Sequence, residues 1–146
     1  MPIRLLAFIA ALVAPALSFA VTWDKVGDTP LASVYVDKDS VRRSGNEVRA
    51  LLEWRWHNET EVPDTAGARM YRLERQVQIS NCSNRSYAVP EGTRYSDARG
   101  VDVVSSYNYD ESSLPYSEAR ARTIRDTIIA HVCRAAPPLT QAAKKP

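Results

Sequence analysis

Glycine is scarce in this chain, with five among 146 residues, and no G-x-G-x-x-G or P-loop run occurs. That removes the phosphate-cradling loops, in which backbone must approach the phosphates closely. Histidine is scarcer still. His57 and His131 are the only two, they fall in different segments, and neither has a second ligand at i+4. The two cysteines lie far apart, so zinc-type ligand spacing is missing as well. No G-x-S-x-G marks an exposed nucleophilic serine. Charge of one sign is also lacking: the formal balance is +2, whereas a general nucleic-acid binder carries a strong basic excess. These absences point to a protein that is not an enzyme, holds no metal and has no nucleic-acid partner.

Long apolar runs are confined to the start of the chain. Arg4 precedes LLAFIAALVAPAL, and Ser18-Phe19-Ala20 has small residues at its first and third positions, the pattern that a signal peptidase reads. Pro15 interrupts the run, which is shorter than the roughly 20 residues needed to cross a bilayer. We therefore expect residues 1–20 to be a signal peptide, cut between Ala20 and Val21. Val21 stands where a lipidated cysteine would be, so the expected product is periplasmic or secreted, with no lipid anchor through its leader and no transmembrane segment. Arg4 is the only charge removed, and 126 residues carrying a formal +1 remain, a length that suits a single domain. At 45% apolar residues the chain can build a core.

Two cysteines in an exported chain read as a disulfide. The C-x-x-C spacing of a redox pair is missing. Joining Cys82 to Cys133 closes a loop of about 50 residues, worth roughly 4 kcal/mol in the chain-entropy picture.

Periodicity divides the rest. Residues 21–26, 32–37 and 41–43 read as short strands, with turns at 27–30 and 37–40, and Ser44-Gly45-Asn46 marks a hairpin. Residues 47–57 alternate, with Val48, Ala50, Leu52, Trp54 and Trp56 on one face; Leu51 breaks the pattern. Residues 58–68 read as a loop. A second alternating stretch, 69–80, sets Tyr71, Leu73, Val77 and Ile79 against Arg72, Glu74, Gln76 and Gln78, so these two strands are expected at the centre of a sheet with a polar outer face. Residues 85–89 and 101–107 are further strands, the former ended by Pro90-Glu91-Gly92. From 116 to 134 the period becomes helical, with Ala121, Ile124, Ile128 and Val132 in one stripe. The fold class is α+β: an antiparallel sheet of about five or six strands with a C-terminal helix packed on one face. The domain spans 21–134, and 135–146, rich in Pro, Ala and Lys, reads as a disordered tail.

Two features suit binding. Arginines recur at 42–43, 69, 72, 75, 120, 122 and 125, and they either form an anion-attracting patch or a solvated face balanced by 17 carboxylates. Tyr107 and Tyr109, near Tyr95 and Tyr116, are tyrosines of the kind that serve interfaces at low entropy cost. Arg72, Tyr107 and Tyr109 are the candidate partner-binding residues.

The order of features resembles a known family. An early Trp23, then VYVDKDSVRRSGNEVRA, then long strands leading to Cys82 with Arg85 and Tyr87 after it, and a late Cys133, are similar to the surface-adhesin protein E family of proteobacterial envelope proteins. The resemblance runs from about Val21 to Arg134. It implies a helix held on the concave side of the sheet by a disulfide, and a protein partner outside the cell or in the envelope. Because the founding adhesin also binds haem, it further implies an alternative, a small-ligand carrier using the concave face. Self-association into a homodimer is a further option.

Overall fold

In the computed structural model the described residues are 21–63 and 69–137. The expected leader 1–20, with Ala20 at its end, and residues 138–146 of the expected tail lie outside them.

The alternation that begins at Glu47 builds the spine of the molecule. Strand β4 (Glu47–Glu61) buries Val48, Ala50, Leu52 and Trp54. It runs four residues past the expected end at His57 because a bulge between Arg55 and Thr60 keeps it paired. Around it lie β1 (Trp23–Asp28), β2 (Ala32–Asp37), β3 (Arg42–Ser44), β5 (Met70–Asn81), β6 (Ser86–Tyr95), β7 (Val103–Asn108), β8 (Ser117–Glu118) and the helix α1 (Ile124–Ala135).

The sheet is antiparallel in the order β1-β2-β4-β5-β6-β7. Two of its lanes are broken. Along β4, β2 pairs with residues 52–56 and β3 with 47–49. Along β6, β7 pairs with 91–95 and β8 with 86–87. Eight strands thus fill six lanes, which is why an expectation of about five or six undercounts the segments. The break between β2 and β3 is a 3-10 turn, Lys38–Ser40, closed by the Asp37 carboxylate, which accepts from the Asp39 N–H at 3.0 Å. Gly45 turns β3 into β4 at φ +56°, the left-handed value expected of that hairpin.

Three local expectations give way. The helix begins at Ile124, not at 116, since Arg122 takes a left-handed φ of 65° and Thr123 caps the helix. Ala121 is therefore exposed and outside the stripe. Pro90 and Gly92 do not end a strand: β6 carries Pro90 at a register shift, where its missing N–H costs no ladder bond. The helix continues through Ala135, and Ala136, expected in the tail, is buried.

The core lies between α1 and one face of the sheet. Ala32, Val34, Val36, Val48, Ala50 and Leu52 meet Ile128 and Val132, with Ile124 packed against them. A disulfide joins Cys82, in the turn after β5, to Cys133 of the helix, with Cα atoms 5.9 Å apart.

Register then produces an inversion. Leu52 pairs with Gln76, Ala50 with Gln78 and Val48 with Ser80. Directly paired residues share a face, so the polar set of β5 lies beneath the helix and Leu51, Val77 and Ile79 lie on the opposite side. Gln76, Gln78 and Ser80 are all buried. The expected polar outer face of β5 is in fact its inner one.

Candidate partner-binding surface and the arginine network behind it

The inverted strand needs partners, because a buried amide or carboxylate without a hydrogen bond is costly. They come from an arginine of the helix. Arg125 Nη1 donates to Gln78 Oε1 at 2.6 Å. With its oxygen turned toward the indole, Gln76 accepts from Trp54 Nε1 at 3.0 Å and from Arg125 at 2.9 Å. The guanidinium lies 4.7 Å from the Trp54 ring centroid and 4.8 Å from that of Tyr87. Burial lowers the affinity of Arg125 for its proton.

A second arginine extends the layer toward the sheet edge. Arg94 of β6 pairs with Glu74 at 3.4 Å and lies over Tyr71 and Tyr107, 5.4 and 4.8 Å from their centroids. Tyr107 donates its hydroxyl to Glu74 at 2.9 Å. Burial, with the Glu74 charge beside it, pushes the Tyr107 phenol well above its usual range. Its ring crosses Gly92, where an added Cβ would sit 2.4 Å from the hydroxyl oxygen, so only glycine fits there.

The opposite face carries a parallel arrangement. Glu53, 1% exposed, accepts from Arg55 at 2.7 Å and from Arg75 at 2.8 Å. Arg55 lies 4.1 Å from the Tyr35 centroid, and Arg75 lies over Trp23 and Tyr95. Beside it runs an open groove of about 530 Å³ floored by Leu51 and Val77. The residue that broke the alternation of β4 is thus the floor of the larger groove.

The arginines therefore do not assemble into one anion-attracting patch. Arg43 donates to the Cys133 and Pro137 carbonyls at 2.7 and 2.8 Å, capping the end of α1, where a cation is favoured. Arg85, held at φ 58°, donates to the Asp126 carboxylate and, at 2.8 Å, to the Asp126 carbonyl. That pairing holds the Asp126 carboxyl below its usual range. Arg43 and Arg85 both belong to the stretches that carry the family resemblance, and they clamp the two ends of one helix, with the disulfide near its C-terminal end. Sequence reasoning missed these roles. The signal present was their placement beside a turn and beside Cys82.

Of the candidate binding residues, Tyr107 and Tyr109 come together, their ring centroids 5.6 Å apart, with Tyr109 exposed. Arg72 sits apart from them, paired with Glu59 at 3.3 Å across the β4–β5 hairpin. Tyr95 lies under Arg75, and Tyr116 donates to Glu47 at 2.8 Å. Burial, then the Glu47 contact, pushes the Tyr116 phenol up to about 12.

The two edges of the sheet differ. β1 carries Asp24, Lys25 and Asp28 and a bulge between Lys25 and Gly27. β7, with sequence VVSSYN, has no charge; Val103 on it is 60% exposed, and Val101 and Tyr109 on either side of it are 64% and 55% exposed. Charges and bulges blunt an edge strand; β7 has a register shift of its own opposite Arg94 and Tyr95, and its Val104 carbonyl accepts from Arg69 at 3.1 Å, but with no charge in its sequence it is the less protected of the two edges.

The family model for surface-adhesin protein E matches residues 23–134. The chain belongs to the surface-adhesin protein E family. Solved structures agree on the fold. One structure of Haemophilus influenzae protein E superposes with a TM-score of 0.55 at 15% identity, covering 84% of this chain and 91% of that one. A second crystal form gives 0.51 at 17% identity, covering 69% and 80%. A search among curated proteins returns no match. Among the described residues, no helix is long and apolar enough to cross a membrane, and no group of three His, Cys, Asp or Glu is placed to hold a metal.

Neither the outer groove nor a cleft beside the helix offers haem, which the resemblance brings in, a histidine without a partner. Beside the helix is a cleft of about 280 Å³ lined by Asp24, Val36, Lys38, Val41, His131, Arg134 and Ala135. It falls below the roughly 300–1,000 Å³ of sites for drug-sized ligands, and His131 there is turned to Asp24 at 3.4 Å. His57 lies elsewhere, beside the Pro30 carbonyl and the Ser33 hydroxyl. The larger outer groove has no histidine in its lining, and its two tyrosines have other partners, Tyr95 under Arg75 and Tyr107 bonded to Glu74.

Proposed function

We propose that this protein is a non-enzymatic exported binding module of the protein E type that contacts a protein partner through the β7 edge and the tyrosines beside it. The observation that carries the reading is the uncharged β7 edge strand, with Val103 exposed on it and Val101 and Tyr109 exposed on either side of it. A free strand edge presents backbone N–H and C=O groups that an extended segment of another protein can satisfy. Tyr107 and Arg94, fixed by Glu74, make the wall behind that edge rigid, which limits the ordering cost of binding. Arg72, on the exposed hairpin, is a peripheral charge that acts on encounter rate more than on the lifetime of the complex. His57 and His131 stand in separate polar environments: the Ser33 hydroxyl 3.4 Å from His57 donates to Asp28 at 2.6 Å on an exposed stretch of strand, and His131 faces Asp24, which supports a binding role over hydrolysis.

The test is surface-binding of the labelled protein to immobilised extracellular-matrix and envelope proteins, with Val103→Lys and Tyr109→Asp compared with the parent. Central contact residues are expected to reduce affinity tenfold or more, and Arg72→Ala to change mainly the on-rate. Binding by the parent that both edge variants retain in full would refute the β7 assignment.

A further inference from the structure

The cleft beside the last turn of α1 is separate from the β7 edge and has no part in that reading. Its floor is apolar: Val36, fully buried, Val41 and Ala135. Its rim carries both signs of charge. Asp24 of β1 stands 3.5 Å from Lys38 and 3.4 Å from His131, and Arg134 projects from the helix on the same rim. Register explains the grouping, since Asp24 pairs with Val36 across β1 and β2 and therefore faces α1 with it. Side chains of Asp24 and Lys38 are 38% and 53% exposed, so each is accessible to a ligand.

We infer that this cleft is a binding site for a free aliphatic α-amino acid. The zwitterion has one pole for each half of the rim and an apolar side chain for the floor. Its ammonium takes the place of Lys38 Nζ at Asp24, its carboxylate is received by the released Lys38 and by Arg134, and its side chain lies on Val41 and Ala135, with buried Val36 behind them. A volume of about 280 Å³ suits one amino acid and is too small for a larger metabolite. A peptide end offers only one of the two charged poles on a single residue, and an acylated or amidated amino acid loses one, so the free zwitterion is the ligand that uses both signs of charge and the apolar floor, with His131 staying on Asp24. Charged hydrogen bonds to two poles are strong contacts, but the cleft is open at its rim, and a dissociation constant on the order of 1 mM or below is expected.

Isothermal titration of the protein with L-leucine tests this, with N-acetyl-L-leucine, L-leucinamide and glycine as controls. L-Leucine should bind saturably, and each control, lacking the ammonium, the carboxylate or the apolar side chain, should bind roughly tenfold more weakly or not at all. Asp24→Asn and Arg134→Gln should each weaken leucine by a similar factor while leaving the circular dichroism spectrum unchanged. Arg134 is exposed, so its variant does not threaten folding. Absence of saturable heat with leucine overturns the proposal. Equal binding of N-acetyl-L-leucine also overturns it, because the site is then one for simple anions. So does leucine binding that survives both variants. None of these results bears on the β7 edge, whose variants leave this cleft intact.

Discussion

One face of the sheet is covered by one helix, yet its two halves are held together differently. Across β2 and β4 the contact is apolar: Val34, Val36, Val48 and Leu52 against Ile128 and Val132. Across β5, β6 and β7 it is polar, with Glu74, Gln76 and Gln78 met by Arg94, Arg125 and Tyr107. The apolar half draws on burial, which is strong and non-directional. The polar half sets one carboxylate against two guanidiniums and works only while each donor finds its acceptor. Such networks contribute little net stability compared with an apolar filling of the same shape, but breaking one member is costly. The difference teaches that the apolar half makes the domain stable, while the polar half fixes where Tyr107 and the β7 edge stand.

The largest test acts on both halves at once. Replacing Cys82 and Cys133 together by serine frees a loop of 51 residues, and chemical denaturation should read a loss of about 4 kcal/mol. Within the apolar half, Leu52→Ala removes a fully buried side chain, and the same titration should show a loss of about 3 kcal/mol with an unchanged m-value. In the polar half, Arg125→Met leaves Gln78 Oε1 without its donor and should cost about 2 kcal/mol, whereas adding Gln78→Leu to it should restore part of that loss, the remainder being the bond that Gln78 Nε2 donates to the Ser80 hydroxyl at 2.9 Å. If the double variant is no better than the single one, the two halves do not differ in kind.

The smallest effect lies outside both halves and calibrates them. Asp97 accepts from the N–H groups of Asp102, Arg99 and Val101 at 2.6, 2.7 and 3.0 Å, and these bonds, that of Asp102 foremost, hold its carboxyl at about 2. A depressed folded value means that the contribution is present above the ordinary carboxylate value of about 4 and is lost as pH falls toward about 2. The protection factors of the amides of residues 99, 101 and 102, each referred to the intrinsic exchange rate at that pH, should therefore fall over that interval while those of β4 stay constant.

Much of this was legible beforehand. Two cysteines after an apolar run at the start of the sequence sufficed for the expectation of a disulfide, and it joins the residues expected. Alternation in β4 named Val48, Ala50, Leu52 and Trp54 as buried, because side-chain direction in a strand has a strict period of two, but it set Glu53 on the polar face, where Arg55 and Arg75 bury it. The helix stripe placed Ile128 and Val132 correctly, but its start was placed eight residues early, since nothing local announces that Arg122 takes a left-handed conformation. The clamping roles of Arg43 and Arg85 were hidden for a different reason. An arginine reaches far, and its partner is chosen by the fold and not by its neighbours in the chain.

What the order of residues settles for this protein is therefore the class of fold, the pairing of Cys82 with Cys133 and the apolar half of the core. Local periodicity and cysteine arithmetic carry that information without reference to anything distant. Which face of β5 goes inward was decided only when β4 and β5 paired. A slip of one residue exchanges the two faces of a strand, and a polar face can be buried here because Arg125, 47 residues away from Gln78, arrives to bond it. The uncharged β7 edge and the cleft at Asp24 exist for the same reason: each is made by segments that only the tertiary fold brings side by side.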